Sequence, residues 1–315
     1  MGDRTGSEMP APNSRHYTFE DLGDGIYAAL ARPDGFAICN SGVVDLEDAG
    51  VVFDTSLTPE SARDLRTASE TLLHRPPSLA VNSHWHLDHA LGNSEFPSVP
   101  IWGTRRAREV LLETRDQLSA EIQRAQLEKD IHELEARRPE MRSPAALADL
   151  EFILQINRAL LASAESLRLV PPNETFESRV ALPGTRSAEL VSFGSGHTQA
   201  DAVMVLPRER IVLAGDLVVV GVQPSMGSGD PEHWLTVLDE IERMTPERIL
   251  PGHGPVTSTD GLEETREYVS GVLRAAAAPA GSVLPAAIRR WEGSLSLEEN
   301  VKFTRGWLSA RDRSR

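Results

Sequence analysis

The 315-residue chain has one cysteine, Cys39, so no disulfide can close within it. It also lacks any uninterrupted run near the ~18 apolar residues a membrane span needs, although 40% of its residues are hydrophobic. Its first residues, "MGDRTGSEMPAPNSRH", contain no apolar stretch of signal-peptide length. These absences point to a cytoplasmic protein with no membrane span. Positive charge is also scarce. Against 47 Asp and Glu stand 32 Lys and Arg, leaving a formal charge of −15 and a pI of about 5.1. Such a surface repels phosphate backbones and anionic lipid headgroups. The expected partner is therefore a small-molecule substrate, not a nucleic acid or a membrane. No G-x-S-x-G and no G-x-x-x-x-G-K occurs, which leaves no nucleophile elbow and no phosphate-cradling loop.

What is present begins with short apolar runs separated by turn signals. "GIYAALA", "GFAICN" and "AGVVFDT" read as strands, broken by "RPDG" and "DLEDAG". A helix is predicted after "LT", with Thr58 as its cap and Pro59 in its first turn. "SLAVNS" reads as a buried strand. Residues 104–168 change character: long, charged and almost free of glycine, with Leu111, Leu118 and Ile122, then Leu147, Leu150, Leu154 and Leu161, at helical spacing. Ser143 and Pro144 look like an N-cap and first helical residue. The segment is predicted to be a helical hairpin inserted between two sheet-forming halves, serving as packing, as a lid or as a homodimer contact. Strands resume in "AELVSFG", "AVMVLP", "RIVLAGDLVVV" and "RILPGHG". Helices are predicted over "DPEHWLTVLDEIERM", capped by Asp230, and over "GLEETREYVSGVLRAAA". The predicted organisation is a disordered tail over 1–16, a body over 17–276 interrupted by the 104–168 insertion, and a helical extension over 277–315.

The chemistry is concentrated in "NSHWHLDHALGN", residues 82–93. His84, His86, Asp88 and His89 fall within six residues just past a predicted strand, where α/β sheets tend to place ligands. Imidazole nitrogen and carboxylate oxygen are the donors zinc prefers. Further candidates follow strands beside glycines: His197 in "GSGHTQAD", Asp216 in "LAGDLV" and His253 in "LPGHGPV". A glycine lets backbone approach an ion closely. The other histidines, His16, His74, His132 and His233, read as ordinary surface residues. Cys39 sits in a strand-like run and is not expected to act as a nucleophile.

"HWHLDH", "GHT", "GD" and "PGHG" in that order resemble the metallo-β-lactamase-fold hydrolase superfamily over residues 17–276. The resemblance implies an α/β fold, an αββα sandwich: two mixed β-sheets packed face to face with outer helices. It further implies a dinuclear metal centre, two Zn2+ per chain, with iron or manganese as alternatives. His84, His86 and His197 would hold the first metal, Asp88, His89 and His253 the second, and Asp216 would bridge both. A metal-bridging hydroxide would then cleave an ester-, thioester-, lactone- or lactam-like bond, with Asp88 as the catalytic proton acceptor. Asp54, in "VVFDTS", would orient a ligand histidine, and Asp201 is a weaker candidate for such support.

Val219 stands three residues after Asp216, where the zinc β-lactamases that use a cysteine ligand carry a drug-binding lysine and the quorum-sensing lactonases a tyrosine. Two alternatives accompany the main reading. One is β-lactamase-like activity as the main role; the other is a mononuclear iron enzyme resembling the persulfide dioxygenases. Trp85 and the loop "GVQPSMGSGD" are expected to border the pocket.

Overall fold

The computed structural model describes residues 12–117 and 120–314, with side chains undescribed at 116–123 and 314. Among the described residues, twelve strands form two sheets. The first runs β1 (Tyr17–Asp21), β2 (Ile26–Ala31), β3 (Ser41–Asp45), β4 (Gly50–Phe53), β5 (Leu79–Val81), β6 (Ile101–Thr104), β7 (Glu174–Phe176) in spatial order. β1 to β4 pair antiparallel and β4 to β7 parallel, so the sheet is mixed. The second has the order β12 (Arg248–His253), β11 (Ile211–Val219), β10 (Asp201–Leu206), β9 (Glu189–Gly194), β8 (Arg179–Ala181), with only β11 and β12 parallel.

Side-chain alternation explains why the sheets stack. Val44, Val51, Phe53 and Val81 of the first sheet face Leu190, Ala202, Met204 and Leu213 of the second across one buried core. Their neighbours in sequence point outward. Val43 and Val52 pack beneath α1 (Pro59–Leu73), while Val203, Val212 and Ala214 pack beneath α6 (Pro231–Arg243) and α7 (Thr259–Ala277). A period of two with both faces apolar requires cover on both sides. The outcome is the αββα sandwich.

The predicted caps are in place. Thr58 Oγ1 accepts from Ser61 N, Ser143 Oγ from Ala146 N, and Asp230 Oδ1 from His233 N. Three sequence expectations need correction. "GFAICN" is irregular loop and β3 begins at Ser41; Ile38 there has φ +70°, which a β-branched residue in a strand does not adopt. The 104–168 segment lies within one sheet, not between two halves. It contains α3 (Arg105–Gln117), α4 (Ala120–Arg137) and α5 (Pro144–Ser163), and joins β6 to its parallel partner β7. Parallel neighbours need such a crossover. Leu111, Leu150 and Leu154 are buried as expected, whereas Leu118 and the side chain of Ile122 lie outside the described residues.

The third correction concerns His16, which is buried, its Nδ1 accepting from Phe36 N, so residues 12–16 are anchored. Residues 1–11 lie outside the described part. The C-terminal extension carries a 3-10 turn at Ala286–Trp291 and α8 (Leu295–Ser314), which packs on α7. Among the described residues no helix is long and apolar enough to cross a membrane.

Candidate metal centre

All seven ligand candidates converge at one rim of the sandwich. The turn after β5 brings His84 and His86, and the short helix α2 (Leu87–Ala90) brings Asp88 and His89. The β9–β10 loop brings His197, β11 brings Asp216 and the end of β12 brings His253. Asp216 lies inside its strand, not after it as its sequence suggested. The strand survives because the β11–β12 register shifts on both sides of Gly215, whose φ is +52°. Such a bulge re-aims the next side chain into the rim. Gly252, facing it on β12, has no room for a side chain: a Cβ there would lie 1.9 Å from Asp216 Oδ1.

The donors form two groups. His84, His86, His197 and Asp216 present atoms within 4.8 Å of one another, and so do Asp88, His89 and His253. In the first group, His86 Nδ1 and His197 Nε2 are 2.9 Å apart, and the three ring centroids lie 4.6–4.9 Å from one another. In the second, His253 Nε2 and His89 Nε2 lie 3.4 and 3.5 Å from Asp88 Oδ2. Asp216 belongs to both. Its Oδ2 is 3.4 Å from His197 Nε2, while its Oδ1 is 3.1 Å from His89 Nε2 and 3.4 Å from His253 Nε2.

Supporting hydrogen bonds decide which imidazole nitrogen faces inward. His253 Nδ1–H can only donate to the Ile38 carbonyl, at 3.2 Å, and His89 Nδ1–H donates to Asp54 Oδ2 at 2.8 Å. Ser83 Oγ–H donates to Asp54 Oδ2 at 2.8 Å, so Ser83 Oγ is left to accept from His84 Nδ1–H at 2.9 Å. In each case the other nitrogen, Nε2, points into the rim. Among the described residues, His84 Nε2, His89 Nε2 and Asp216 Oδ1 are buried with no hydrogen-bond partner. Buried polar atoms that converge without partners are costly unless an ion satisfies them. The donor set fits one or two divalent cations.

Electrostatics separates the groups. Burial holds His84 and His86 below the usual imidazole range and brings His197 down to about 3, so the three-histidine face is neutral. Burial opposes charge at His253 and His89 too, but there the carboxylates prevail. Asp216 and Asp88 lift His253 to about 10, and Asp216, Asp88 and Asp54 lift His89 well above its ordinary value. Against the cost of burial, His89 and His253 pull Asp88 down to about 2, and His253 and His89 hold Asp216 well below the usual carboxylate range.

Asp54 supports two ligand histidines where one was expected. Asp201 touches no ligand; it accepts from Gly196 N, Thr198 N and Thr198 Oγ1 and so shapes the loop on which His197 rides. Trp85 is half-buried against His86, with ring centroids 4.5 Å apart. His74 and His132 are exposed, while His233 is half-buried with Nδ1 2.5 Å from Ser195 O. Sequence reading missed Ser83 and Asn40. Asn40 donates to Pro251 O (3.0 Å) and Gly254 O (2.8 Å) and accepts from Ala31 N, gripping both sides of His253. Buried Cys39 donates to the Asp88 carbonyl, and burial pushes its thiol up to about 12, which leaves it protonated and poorly nucleophilic.

Two sheets with outer helices and a rim of histidines and aspartates define a metal-site protein of the αββα class. The chain belongs to the metallo-beta-lactamase superfamily, whose sequence model matches residues 34–253. It is similar to the metallo-beta-lactamase type 2 of Bacteroides fragilis, 28% identical over 91 residues, or 27% of this chain. That match spans 36% of the relative's length. Among solved structures, the metallo-beta-lactamase FIM-1 from Pseudomonas aeruginosa, in its mono-zinc form, superposes with a TM-score of 0.56 at 17% identity, over 83% of this chain and 98% of that one. The metallo-beta-lactamase from Pontibacter korlensis gives 0.55 at 18% identity, over 81% and 99%. At those identities the structures establish the shared fold.

Proposed function

We propose that the protein is a dinuclear zinc hydrolase that cleaves an ester-, thioester-, lactone- or lactam-like bond in a small molecule. The observation that carries this reading is the position of Asp216, which faces the three-histidine group with one oxygen and the Asp88–His89–His253 group with the other. Two ligand groups sharing one carboxylate support a pair of ions over a single one. His84, His86 and His197 would hold the first ion, and Asp88, His89 and His253 the second. When bound, such a pair supplies a water acidified toward neutral pH and a Lewis acid for the scissile carbonyl.

The chain's own groups do the rest. Asp88 is kept ionised by His89 and His253 and is partly exposed, so it can accept a proton from a water at the rim. Asp54, Ser83 and the Ile38 carbonyl fix three imidazoles with Nε2 inward. Cys39 stays protonated and Asp201 serves the loop, so neither competes as nucleophile or base. The chemistry requires no covalent intermediate on the protein.

The test is metal analysis of protein purified without chelator, run beside a hydrolysis panel of esters, thioesters, lactones and β-lactams. About two zinc per chain with turnover of one class supports the reading. Turnover confined to β-lactams would make lactamase activity the main role. One iron per chain with oxygen uptake would replace hydrolysis by oxidation.

A further inference from the structure

The loop 220–230, between β11 and α6, closes one side of the metal centre. Its start is fixed by Val220 N donating to His253 O at 3.0 Å, and its end by Asp230 N donating to Gly196 O at 3.0 Å. Near that end Gly229 passes so close to the His197 loop that a Cβ would lie 2.0 Å from Gly196 O. Ser228 Oγ lies 3.3 Å from His86 Nε2, the nitrogen that faces away from His197. The loop thus sets the ring of one candidate ligand.

Its middle has no strand or helix to hold it. The grip comes from the other end of the chain. Asn300, buried in α8, donates from Nδ2 to Pro224 O at 2.8 Å and accepts at Oδ1 from Met226 N at 2.9 Å. Both backbone groups of the turn are thereby satisfied by one side chain. Asn300 Nδ2 also donates to Tyr268 OH, which donates to Gln223 Oε1, and Gln223 Nε2 donates to Ser294 Oγ. Ser294 Oγ in turn donates to Asp149 Oδ2 of α5. Asn300, Ser294 and Tyr268 all lie beyond residue 253, where the match to the superfamily ends.

We propose that Asn300 is a positioning residue for the metal centre: from the C-terminal helix it fixes loop 220–230 so that Ser228 holds His86 in its ligating orientation. The inference rests on the metal-centre reading above. It makes α8 part of the working site and not a terminal ornament, and it predicts that a change remote from every ligand alters zinc binding.

The experiment uses the full-length chain and its Asn300→Ala, Asn300→Asp and Ser228→Ala variants. Three quantities are measured: amide hydrogen exchange across 221–230, zinc affinity by competition with a chromophoric chelator, and kcat/KM on whichever panel substrate is turned over. Asn300→Ala is expected to speed exchange at Met226 by about tenfold or more while α6 and α7 stay protected. It should also weaken zinc binding and kcat/KM by about tenfold. Asn300→Asp keeps the acceptor for Met226 N and loses the donor to Pro224 O, so it should fall between parent and alanine. Ser228→Ala should reproduce the loss of zinc affinity without the faster exchange.

Unchanged exchange in a folded Asn300→Ala overturns the proposal, and so does faster exchange with zinc affinity within twofold of the parent. Should the alanine variant not fold, the parent decides: a Met226 amide no better protected than that of exposed Gly227 overturns it. If no panel substrate is turned over, the hydrolase reading has failed, and exchange and zinc affinity still judge Asn300.

Discussion

Asp54 Oδ2 lies 2.8 Å from His89 Nδ1, and both side chains are almost completely buried. Asp54 has φ +61°, a left-handed conformation tolerated because its carboxylate also accepts from Ser83 N and Ser83 Oγ. One carboxylate therefore fixes His89 directly and His84 through a hydroxyl. Asp54→Ala should lower zinc affinity by about 10- to 100-fold, the usual cost of losing a group that orients a ligand. Chelator competition measures it. Affinity unchanged in a folded variant would reduce Asp54 to packing.

Removing the metal exposes opposite pH dependences. Burial lowers the proton affinity of His84 and His197 in the fold, so their contribution is present above the unfolded value near 6.5 and is lost as pH falls below it, toward about 3 for His197. His253 is raised to about 10, so its contribution is complete below 6.5 and is lost as pH rises through 10. The chelated protein should be most stable near pH 6.5, with urea midpoints falling toward pH 5 and pH 9.

Zinc loading at pH 7 should release protons from the group containing His89 and His253, which are charged without metal, and almost none from the neutral three-histidine group. Calorimetry in buffers of differing ionisation enthalpy counts them. Equal proton release at both steps would contradict the two electrostatic environments.

The first four candidate ligands stood out in sequence because three imidazoles and a carboxylate within six residues have no ordinary use in a core, and the structure brings His197, Asp216 and His253 to them. The sandwich was expected from the resemblance to the superfamily, whereas the alternation that stacks it, with neighbours in "GVVF" facing opposite layers, does not show in its apolar letters. What hid was what only contact defines. Asn40 grips a turn more than 200 residues away, and nothing local to "CNS" announces it. The apolar letters of "GFAICN" imitate a strand, while the backbone turns so that the Ile38 carbonyl can meet His253. The bulge at Gly215 is invisible in "IVLAGDLVV" because every residue there is buried whichever way the strand is aimed. β7, three residues long, carries too little pattern to reveal that the helical insertion is a crossover.

Asn40→Ala should destabilise the fold by about 1–3 kcal/mol, chiefly because it leaves the buried Pro251 carbonyl unpartnered, with the part-buried Gly254 carbonyl and Ala31 N–H adding less. Asn40→Asp should be worse, because a carboxylate would face the Pro251 and Gly254 carbonyls. Urea unfolding of the metal-free protein gives both values. Aspartate better tolerated than alanine would mean the amide is not the grip.

Gly252→Ala tests the close approach beneath Asp216. The new methyl would meet Asp216 Oδ1 at 1.9 Å and the Gly215 and Asp216 backbone within 3 Å, and backbone cannot yield as a side-chain tip can. A displaced Asp216 should weaken both ions together. Gly306→Ala, where a Cβ would meet nothing within 4 Å, is the control expected to bind zinc normally. Loss of only one zinc in Gly252→Ala would show that Asp216 serves one group and not two.

The inserted helices reach the site through Leu87, which lies between His86 and Asp88. Leu87 and Ile38 pack with Ile156, Leu160 and Leu169 in a half-buried apolar cluster, and Gln155 donates to the carbonyls of Pro33 and Gly35 beside it. α5 is thus a wall on the metal rim, anchored by fully buried Leu150 and Leu154. Excising residues 108–164 would unroof that core, so the informative change is smaller. Ile156→Ala with Leu160→Ala trims the wall and spares the anchors. Because no ligand moves, zinc stoichiometry should stay at the parent value. Because substrate would lie against this wall, KM should rise about tenfold or more, the worth of a few buried methylenes at ~0.8 kcal/mol each. If zinc content falls while KM holds, α5 is a brace for the metal turn and touches no substrate.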